Sequence, residues 1–325
     1  MSEGKDWAIP ESSQPHPRQV DFDLERALSA VVGLRAEVPP DAFTAQVLGT
    51  ERAGSAVMID DNGLFATIGY LITEAETIWL TSNDGMAVAG HVVGYDQGTG
   101  LGLVQALGRL RLPALEIGST KSLRVADPVV IVGSGGRHHS LQARVIGKRE
   151  FAGYWEYLLD EALFTAPAHP NWGGTACLTS DGRLCGIGSL LIQHEQGDEK
   201  QLSGNMVVPI DVLPPIMDDL LRFGRVDRPP RPWLGMFTAD TQHRPVVVGL
   251  ANGGPADKAG VETGDMVMAV AGEPVDDLAE LWRRVWALGA AGVEVPLAVA
   301  REDRELHLTI RSADRNDFLK QPKLH

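Results

Sequence analysis

A regular series of short apolar runs, separated by turn sequences, is the feature that most constrains the fold between residues 31 and 210. Asp61-Asn62-Gly63 lies between two such runs in residues 54–67 and supplies the positive-φ positions of a tight hairpin. Asn83-Asp84-Gly85 repeats the signal between residues 77–81 and 86–94. Further short strands are predicted at residues 128–133, 143–150 and 163–164. Because helical periodicity is scarce here, the pattern predicts an all-β barrel or sandwich.

Outside this β-rich part, the sequence predicts helices, a linker and a second, smaller domain. Residues 1–30 are polar at first, end in a short predicted helix at 23–32, and are expected to form a loosely held arm. A helix over residues 209–223, with Pro214 and Pro215 in its first turn, closes the β-rich part. The predicted domains are an arm at 1–30, a β domain at 31–223, a Pro-rich linker at 224–232, a small α+β domain at 233–312 and a polar tail at 313–325.

The composition limits the classes of partner. The chain has 325 residues, 43 Asp and Glu against 29 Lys and Arg, and a formal charge of −14, so nucleic acid is not an expected partner. No apolar run is long enough for a membrane span, and the first residues lack a secretory signal. We therefore expect a cytoplasmic chain, with a periplasmic location as the alternative if an export signal was removed.

Candidate metal and cofactor sites are weak. Cys177 and Cys185 flank a turn among apolar neighbours, which favours two reduced core thiols over a redox pair. His138 and His139 are adjacent, so their side chains would point to opposite faces of a strand rather than to one metal ion. The Gly-rich run at 133–136 precedes no helix of phosphate-binding type. We expect no metal and no cofactor.

Several segments, in order and spacing, carry a family resemblance. They are residues 54–63, 92–96, 123–133, 181–188 and 206–210, followed by residues 253–261 and 264–275 in the smaller domain. In this arrangement the chain resembles the HtrA/DegP type of trypsin-like serine protease with one PDZ domain, over about residues 31–310. The resemblance implies a mainly β fold: a trypsin-like double β-barrel followed by a small α+β PDZ domain.

The resemblance also locates three catalytic positions, and all three residues are changed. Tyr70 stands where the family has its histidine, Gly100 where it has its aspartate, and Gly173 where it has its serine. A glycine supplies neither a nucleophile nor a group that orients a base. Tyrosine, with a pKa near about 10, is a poor base at neutral pH. The resemblance therefore implies a degenerate triad and no catalytic residue.

The loop around the serine position is altered as well. Asn171, Trp172 and Gly173 occupy the remnant oxyanion loop, where the family has a leading glycine. A relocated pair is the alternative: His169 would act as a base for Thr175. The simpler interpretation makes His169 a loop residue that donates to a carbonyl and Thr175 an ordinary strand residue.

The carboxy-terminal domain keeps more of the family pattern. The resemblance assigns Trp233, Leu234, Gly235 and Met236 to the loop whose N–H groups take a peptide's terminal carboxylate. A helix at residues 277–287 either lines the peptide groove or packs into the core through its large side chains, which are Leu278, Leu281, Trp282, Val285 and Trp286.

Three functions follow. The first is an inactive HtrA-like homologue that binds peptides or the C-termini of unfolded proteins and acts as a scaffold, chaperone or regulator in protein quality control. The second is an active serine endopeptidase with an atypical or misaligned site. The third, implied by the family's habit of forming trimers, is an inactive subunit of an oligomer such as a homotrimer.

Overall fold

The computed structural model describes residues 7–196, 200–241 and 244–320. Contacts divide the chain into two compact units. The first comprises Met1–Arg149, Glu161–Val226 and Lys320–His325, and the second comprises Glu150–Asp160 and Asp227–Leu319. Residues 150–160 therefore group with the carboxy-terminal unit, although the chain places them among the strands of the first.

Six strands of the first unit form a closed barrel in the order β1-β2-β3-β6-β5-β4. Their bounds are β1 Val31–Glu37, β2 Glu51–Asp60, β3 Leu64–Ile68, β4 Thr77–Thr81, β5 Ala87–Tyr95 and β6 Leu101–Ala106. The predicted turn between β2 and β3 is present: Gly63 has a φ of 84°, and the Asp60 carboxylate accepts from the Asn62 N–H at 2.8 Å. A left-handed residue is what this tight reversal requires.

A second closed barrel has the order β10-β11-β12-β9-β8-β7. Its strands are β7 Pro128–Val132, β8 Ser140–Gly153, β9 Tyr157–Ala166, β10 Ala176–Leu178, β11 Leu184–Gln196 and β12 Lys200–Pro209. Cys177 and Cys185 belong to its core. Both are free thiols, and their Sγ atoms lie 3.5 Å apart. The prediction of two reduced core cysteines agrees with this environment.

Residues 7–30 differ from the expected loose arm, and residues 1–6 lie outside the described part of the chain. Ile9 is buried in the core of the second barrel, and its N–H donates to the carbonyl of His138 at 2.8 Å. Helix α1, Leu24–Ser29, buries Leu24 and Leu28 and ends before residue 32. The predicted helix was too long because Val31 and the residues after it pair with β2 instead, a position that suits β-branched side chains.

Two further helices complete the first unit. Helix α2 covers Ala45–Leu48, and α3 covers Pro214–Phe223, with its two prolines in the first turn and Gly224 at a φ of 70° after its last residue. Proline is well tolerated at the first helical position, because its missing N–H has no partner there in any case. The predicted start at residue 209 was wrong: the helix begins at Pro214, and Ile210–Val212 form a separate 3-10 helix. A helix that ran through the two prolines would lack the N–H groups of both.

The second unit is a small sheet with two helices. Its order is β13-β14-β15-β17-β18, and β16 pairs with β15. The elements are β13 Met236–Asp240, β14 Pro245–Leu250, α4 Pro255–Lys258, β15 Met266–Val270, β16 Glu273–Pro274, α5 Leu278–Ala287, β17 Glu294–Arg301 and β18 Arg304–Arg311. The mainly β fold class is confirmed. In the part of the chain described, no helix is long and apolar enough to cross a membrane.

Candidate functional site

The loop between β9 and β10 is held by backbone contacts. The carbonyl of Gly173 accepts from the Ser55 N–H at 2.8 Å, and the Gly174 N–H donates to the carbonyl of Gly188 at 2.9 Å. Gly174 has a φ of 76°, and a Cβ there would lie 1.9 Å from the Ser55 oxygen. Only glycine fits that position, and because residue 174 is a glycine, the loop can approach β2 this closely.

Tyr70 and Gly173 converge. A Cβ at position 173 would lie 2.8 Å from the Tyr70 hydroxyl oxygen. That hydroxyl donates to the carbonyl of Ser189 at 2.8 Å. Burial raises the pKa of Tyr70 far above its ordinary value, against a smaller opposing effect of the hydrogen bond from the Trp172 side chain. The phenol is therefore neutral at pH 7 and cannot act as a base.

Gly100 lies beside the point where Tyr70 and Gly173 converge, which is called the corner below. Its carbonyl accepts from the Gly69 N–H, next to Tyr70, at 2.7 Å. Gly100 has a φ of 79°, and its turn is fixed by the Asp96 carboxylate, which accepts from the Thr99 N–H at 2.8 Å. The three positions that the resemblance located are therefore neighbours, but together they present one engaged phenol and two glycines.

The loop that the resemblance assigns to the oxyanion hole directs its Asn171 N–H into the protein. The Asn171 N–H donates to Nδ1 of His169 at 3.2 Å, and the Thr175 N–H donates to the carbonyl of Trp172 at 3.3 Å. An oxyanion hole needs donors that converge on the position of the developing charge. Here the Asn171 N–H is taken by His169, and the N–H groups that follow Gly173, those of Gly174 and Thr175, are taken by the carbonyls of Gly188 and Trp172.

His169 and Thr175 form no catalytic pair. Nδ1 of His169 accepts from a backbone N–H, so the ring proton lies on Nε2, which contacts the carbonyl of His139 at 3.0 Å. Burial lowers the pKa of His169 and keeps the ring neutral. The Thr175 hydroxyl donates to the carbonyl of Trp172 at 3.0 Å. Thr175 precedes β10 rather than lying in a strand.

A buried arginine and a buried glutamate, linked through the Thr44 hydroxyl, support the Tyr70 turn, and the sequence analysis missed them. The Arg52 guanidinium donates to the carbonyls of Tyr70 and Thr73, each at 2.8 Å, and to the Thr44 hydroxyl at 2.7 Å. That hydroxyl in turn donates to Glu74 at 2.6 Å. Burial alone would raise the pKa of Glu74, but hydrogen bonds from backbone N–H groups and Thr44 outweigh it and lower the pKa.

A second candidate site lies in the carboxy-terminal unit. The N–H groups of Leu234, Gly235 and Met236 all donate to the carboxylate of Glu156, at 3.0, 2.7 and 3.0 Å. The N–H of Trp233, the fourth residue assigned to this loop, donates instead to the carbonyl of Ala313 at 3.0 Å. Three of the four residues assigned to carboxylate binding thus place their donors on one carboxylate. Glu156 carries no sequence signal that would have identified it.

Helix α5 contributes mainly packing. Leu281, Trp282 and Val285 are fully buried in the core of this unit. The Trp282 indole N–H still finds an acceptor, the carbonyl of Gly153, at 3.3 Å. Trp286 is only partly buried and packs at the edge of the same core.

Comparison with known proteins defines the class. A model of the trypsin-like peptidase domain matches residues 54–187, and a model of the PDZ domain matches residues 232–311. The chain thus combines a trypsin-like domain with a PDZ domain. A probable periplasmic serine endoprotease DegP-like of Halomonas elongata is 26% identical over 82% of this chain and 57% of its own length. The serine endoprotease DegS of Salmonella typhimurium is 26% identical over 92% of this chain and 87% of its own.

A solved structure titled HtrA-type protease AlgW with decapeptide has a TM-score of 0.53 at 19% identity, covering 92% of this chain and 98% of that one. At this identity the likeness shows the fold alone. Together, the comparisons show that the chain is similar to HtrA- and DegP-type serine endoproteases and shares their combination of a trypsin-like domain with a PDZ domain. The chain spans little more than half the length of several curated relatives that it matches, such as 55% of one from Pseudomonas putida.

The expectation of a cytoplasmic chain is wrong. Relatives in Halomonas elongata and Pseudomonas putida are named periplasmic serine endoproteases, which points to the periplasm rather than the cytoplasm. The expectation rested on the composition of the first printed residues, and that composition does not determine the compartment.

Proposed function

We propose that the chain is an HtrA-like homologue without peptidase activity that binds peptides or protein C-termini through its PDZ domain. The trypsin-like domain at 31–223 would then serve as a scaffold and the PDZ domain at 233–312 as the reader, in a chaperone or regulatory role. The periplasmic names of the relatives support a periplasmic setting for this role.

One observation carries the loss of catalysis. The Tyr70 hydroxyl lies 2.8 Å from where a Cβ at position 173 would be. It donates to the carbonyl of Ser189. A nucleophile needs a hydroxyl or thiol next to a base that can accept its proton. At this corner the first group is missing, and the second is replaced by a neutral phenol.

An active serine-type endopeptidase is the second candidate, favoured by the names of the relatives, which are serine endoproteases. In this chain the loop between β9 and β10 offers the hydroxyl of Thr175, which donates to the carbonyl of Trp172 at 3.0 Å. An active site of this kind would have to break that bond and recruit a base from outside the corner described above.

Cleavage of fluorescent casein by the purified chain separates the two candidates. We expect no turnover above buffer for the wild type or for Thr175→Ala. Thr165→Ala is the matched control, because Thr165 is also a buried threonine of the same unit. Turnover by the wild type that Thr175→Ala abolishes and Thr165→Ala retains would overturn the proposal.

Oligomerisation is part of the same proposal. A homotrimer, as the family resemblance implies, would join three PDZ domains in one particle and so increase its avidity for a partner with several C-termini. Sedimentation equilibrium at micromolar concentration tests this arrangement. A strict monomer would exclude it and leave the peptide-binding role unchanged.

A further inference from the structure

The PDZ sheet has an occupied edge. Strand β13 lies at one end of the sheet order, so one of its sides pairs with no strand of this sheet among the described residues of the unit. On β13 the Thr238 N–H donates to the carbonyl of Tyr154 at 2.8 Å, and the rings of Tyr154 and Phe237 lie 6.2 Å apart. A PDZ peptide binds by adding an extended segment to such an edge. Here residues 150–160, named the inserted segment below, contact that edge.

The inserted segment also contacts helix α5. The Trp282 indole donates to the carbonyl of Gly153 at 3.3 Å, and Ala152 packs against the core of the unit. At the two ends of the segment, Glu150 and Asp160 both pair with Arg283 of α5, the latter at 3.0 Å. The segment is therefore held by the strand and by the helix that border a PDZ groove.

The side chain of Glu156, at the tip of the inserted segment, occupies the loop as the terminal carboxylate of a PDZ ligand would. The Glu156 carboxylate takes the N–H groups of Leu234, Gly235 and Met236. Gly235 has a φ of 74°, and a Cβ there would lie 3.1 Å from both Ala251 and the Trp233 ring. The close turn that aims the three donors thus requires glycine. A peptide's terminal carboxylate would need these same donors, so the loop cannot hold both groups at once.

The backbone of Glu156 is strained. Its φ is 59°, a left-handed value that is uncommon for a residue other than glycine, asparagine or aspartate. Only 7% of the residue is exposed. Strained residues persist where the surroundings hold them, and they are concentrated at ligand clamps and switch regions. The three hydrogen bonds to the carboxylate are the interactions that hold this one.

We propose that the inserted segment is an intramolecular ligand of the PDZ domain. A peptide with a free terminal carboxylate then binds only when Glu156 leaves the loop of Leu234, Gly235 and Met236. This inference rests on the proposed peptide-binding function. In competition of this kind, the apparent affinity for a peptide is the intrinsic affinity multiplied by the fraction of molecules whose groove is open.

Removal of the carboxylate tests the inference. The probes are fluorescein-labelled heptapeptides with mixed interior residues that end in Val, Leu or Phe, each made as a free acid and as a terminal amide. Fluorescence anisotropy of the full chain should show that Glu156→Ala binds the free acids about ten-fold more tightly than the wild type, or better. The amides should gain little, because they lack the terminal carboxylate that would take the N–H groups in place of Glu156.

Glu302→Ala is the matched control. Glu302 lies in the same unit, is exposed and has a φ of 53°, so the variant makes the same charge change at a left-handed position. We expect it to bind the peptides as the wild type does. Glu156→Asp keeps the carboxyl group but shortens the side chain by one methylene, so that the carboxyl no longer reaches the N–H groups of Leu234, Gly235 and Met236. Aspartate tolerates a left-handed φ, so this variant covers the case in which the alanine variant folds poorly. It should also bind the free acids more tightly than the wild type.

Hydrogen exchange of residues 150–160 provides an independent measurement. We expect faster exchange there in Glu156→Ala, and in the wild type when a free-acid peptide is added. Equal, measurable binding by the wild type and by both Glu156 variants would overturn the inference and leave the peptide-binding function intact. Binding by none of the proteins, with the segment released in Glu156→Ala, would instead overturn the peptide-binding function itself.

Discussion

Docking of the inserted segment depends on pH through Glu156. Burial raises the pKa of its carboxyl from 4.5 to about 7, against the N–H groups of Leu234, Met236 and Gly235 and the positive charge of Arg315, which lower it. The docked carboxyl therefore holds its proton at pH values where a released one has lost it. Docking is strongest below pH 4.5 and weakens as the pH rises through about 7.

The size of the effect follows from the two pKa values. At about 1.4 kcal/mol per pKa unit, the difference between 4.5 and about 7 is worth about 3 kcal/mol, or roughly two orders of magnitude in the equilibrium between docked and released segment. The group is fully buried, so solvent screening does not reduce this figure greatly. Free-acid peptides should accordingly find the groove more open at pH 8 than at pH 5.

Carbon-13 NMR of the side-chain carboxyl measures this directly. In protein labelled at the glutamate δ-carbons, the resonance that disappears in Glu156→Gln belongs to Glu156. We expect it to titrate with a midpoint near 7. A midpoint at or below 4.5 would refute the reasoning, because the three N–H donors would then outweigh the burial of the charge.

Two further predictions concern the first unit. Arg52→Met should lower the free energy of unfolding in urea by about 3–5 kcal/mol, since it removes the hydrogen bonds to Tyr70, Thr73 and Thr44 and the positive charge that interacts with Glu74. The exposed control Arg35→Met should change it by less than about 0.5 kcal/mol, and an equal loss in both variants would contradict this account. The buried thiols of Cys177 and Cys185 should react with Ellman's reagent only after unfolding; fast reaction in the native protein would show that they are accessible.

Local turn chemistry explains why much of the β fold was predictable. The turn at Asp61-Asn62-Gly63 combines an Asx side chain with a glycine, and both the φ of Gly63 and the hydrogen bond of Asp60 follow from that. The helix predicted at 23–32 was too long because the pairing of Val31 with Val57 is decided by the barrel and not by the local sequence. Strand register over such distances is a tertiary property.

The candidate sites were predictable only in part. Spacing within the resembling segments located Tyr70, Gly100 and Gly173, and these positions are neighbours in the fold. The bond from Tyr70 to the carbonyl of Ser189 joins residues 119 positions apart and has no local signature. Glu156 and Leu234 are likewise 78 positions apart. A glutamate at a hairpin tip resembles any solvated turn residue until the fold places three N–H groups around it.

The central claim is that the trypsin-like corner holds no activated nucleophile. Incubation of the native chain with a fluorophosphonate, followed by peptide mass spectrometry, tests it most directly. Such a reagent bonds to a hydroxyl whose proton a neighbouring base can take. We predict no adduct in residues 168–189, including Thr175 and Ser189. A stoichiometric adduct on either hydroxyl, which does not form when the protein is denatured before the incubation, would show that the corner is an active site and would contradict the account.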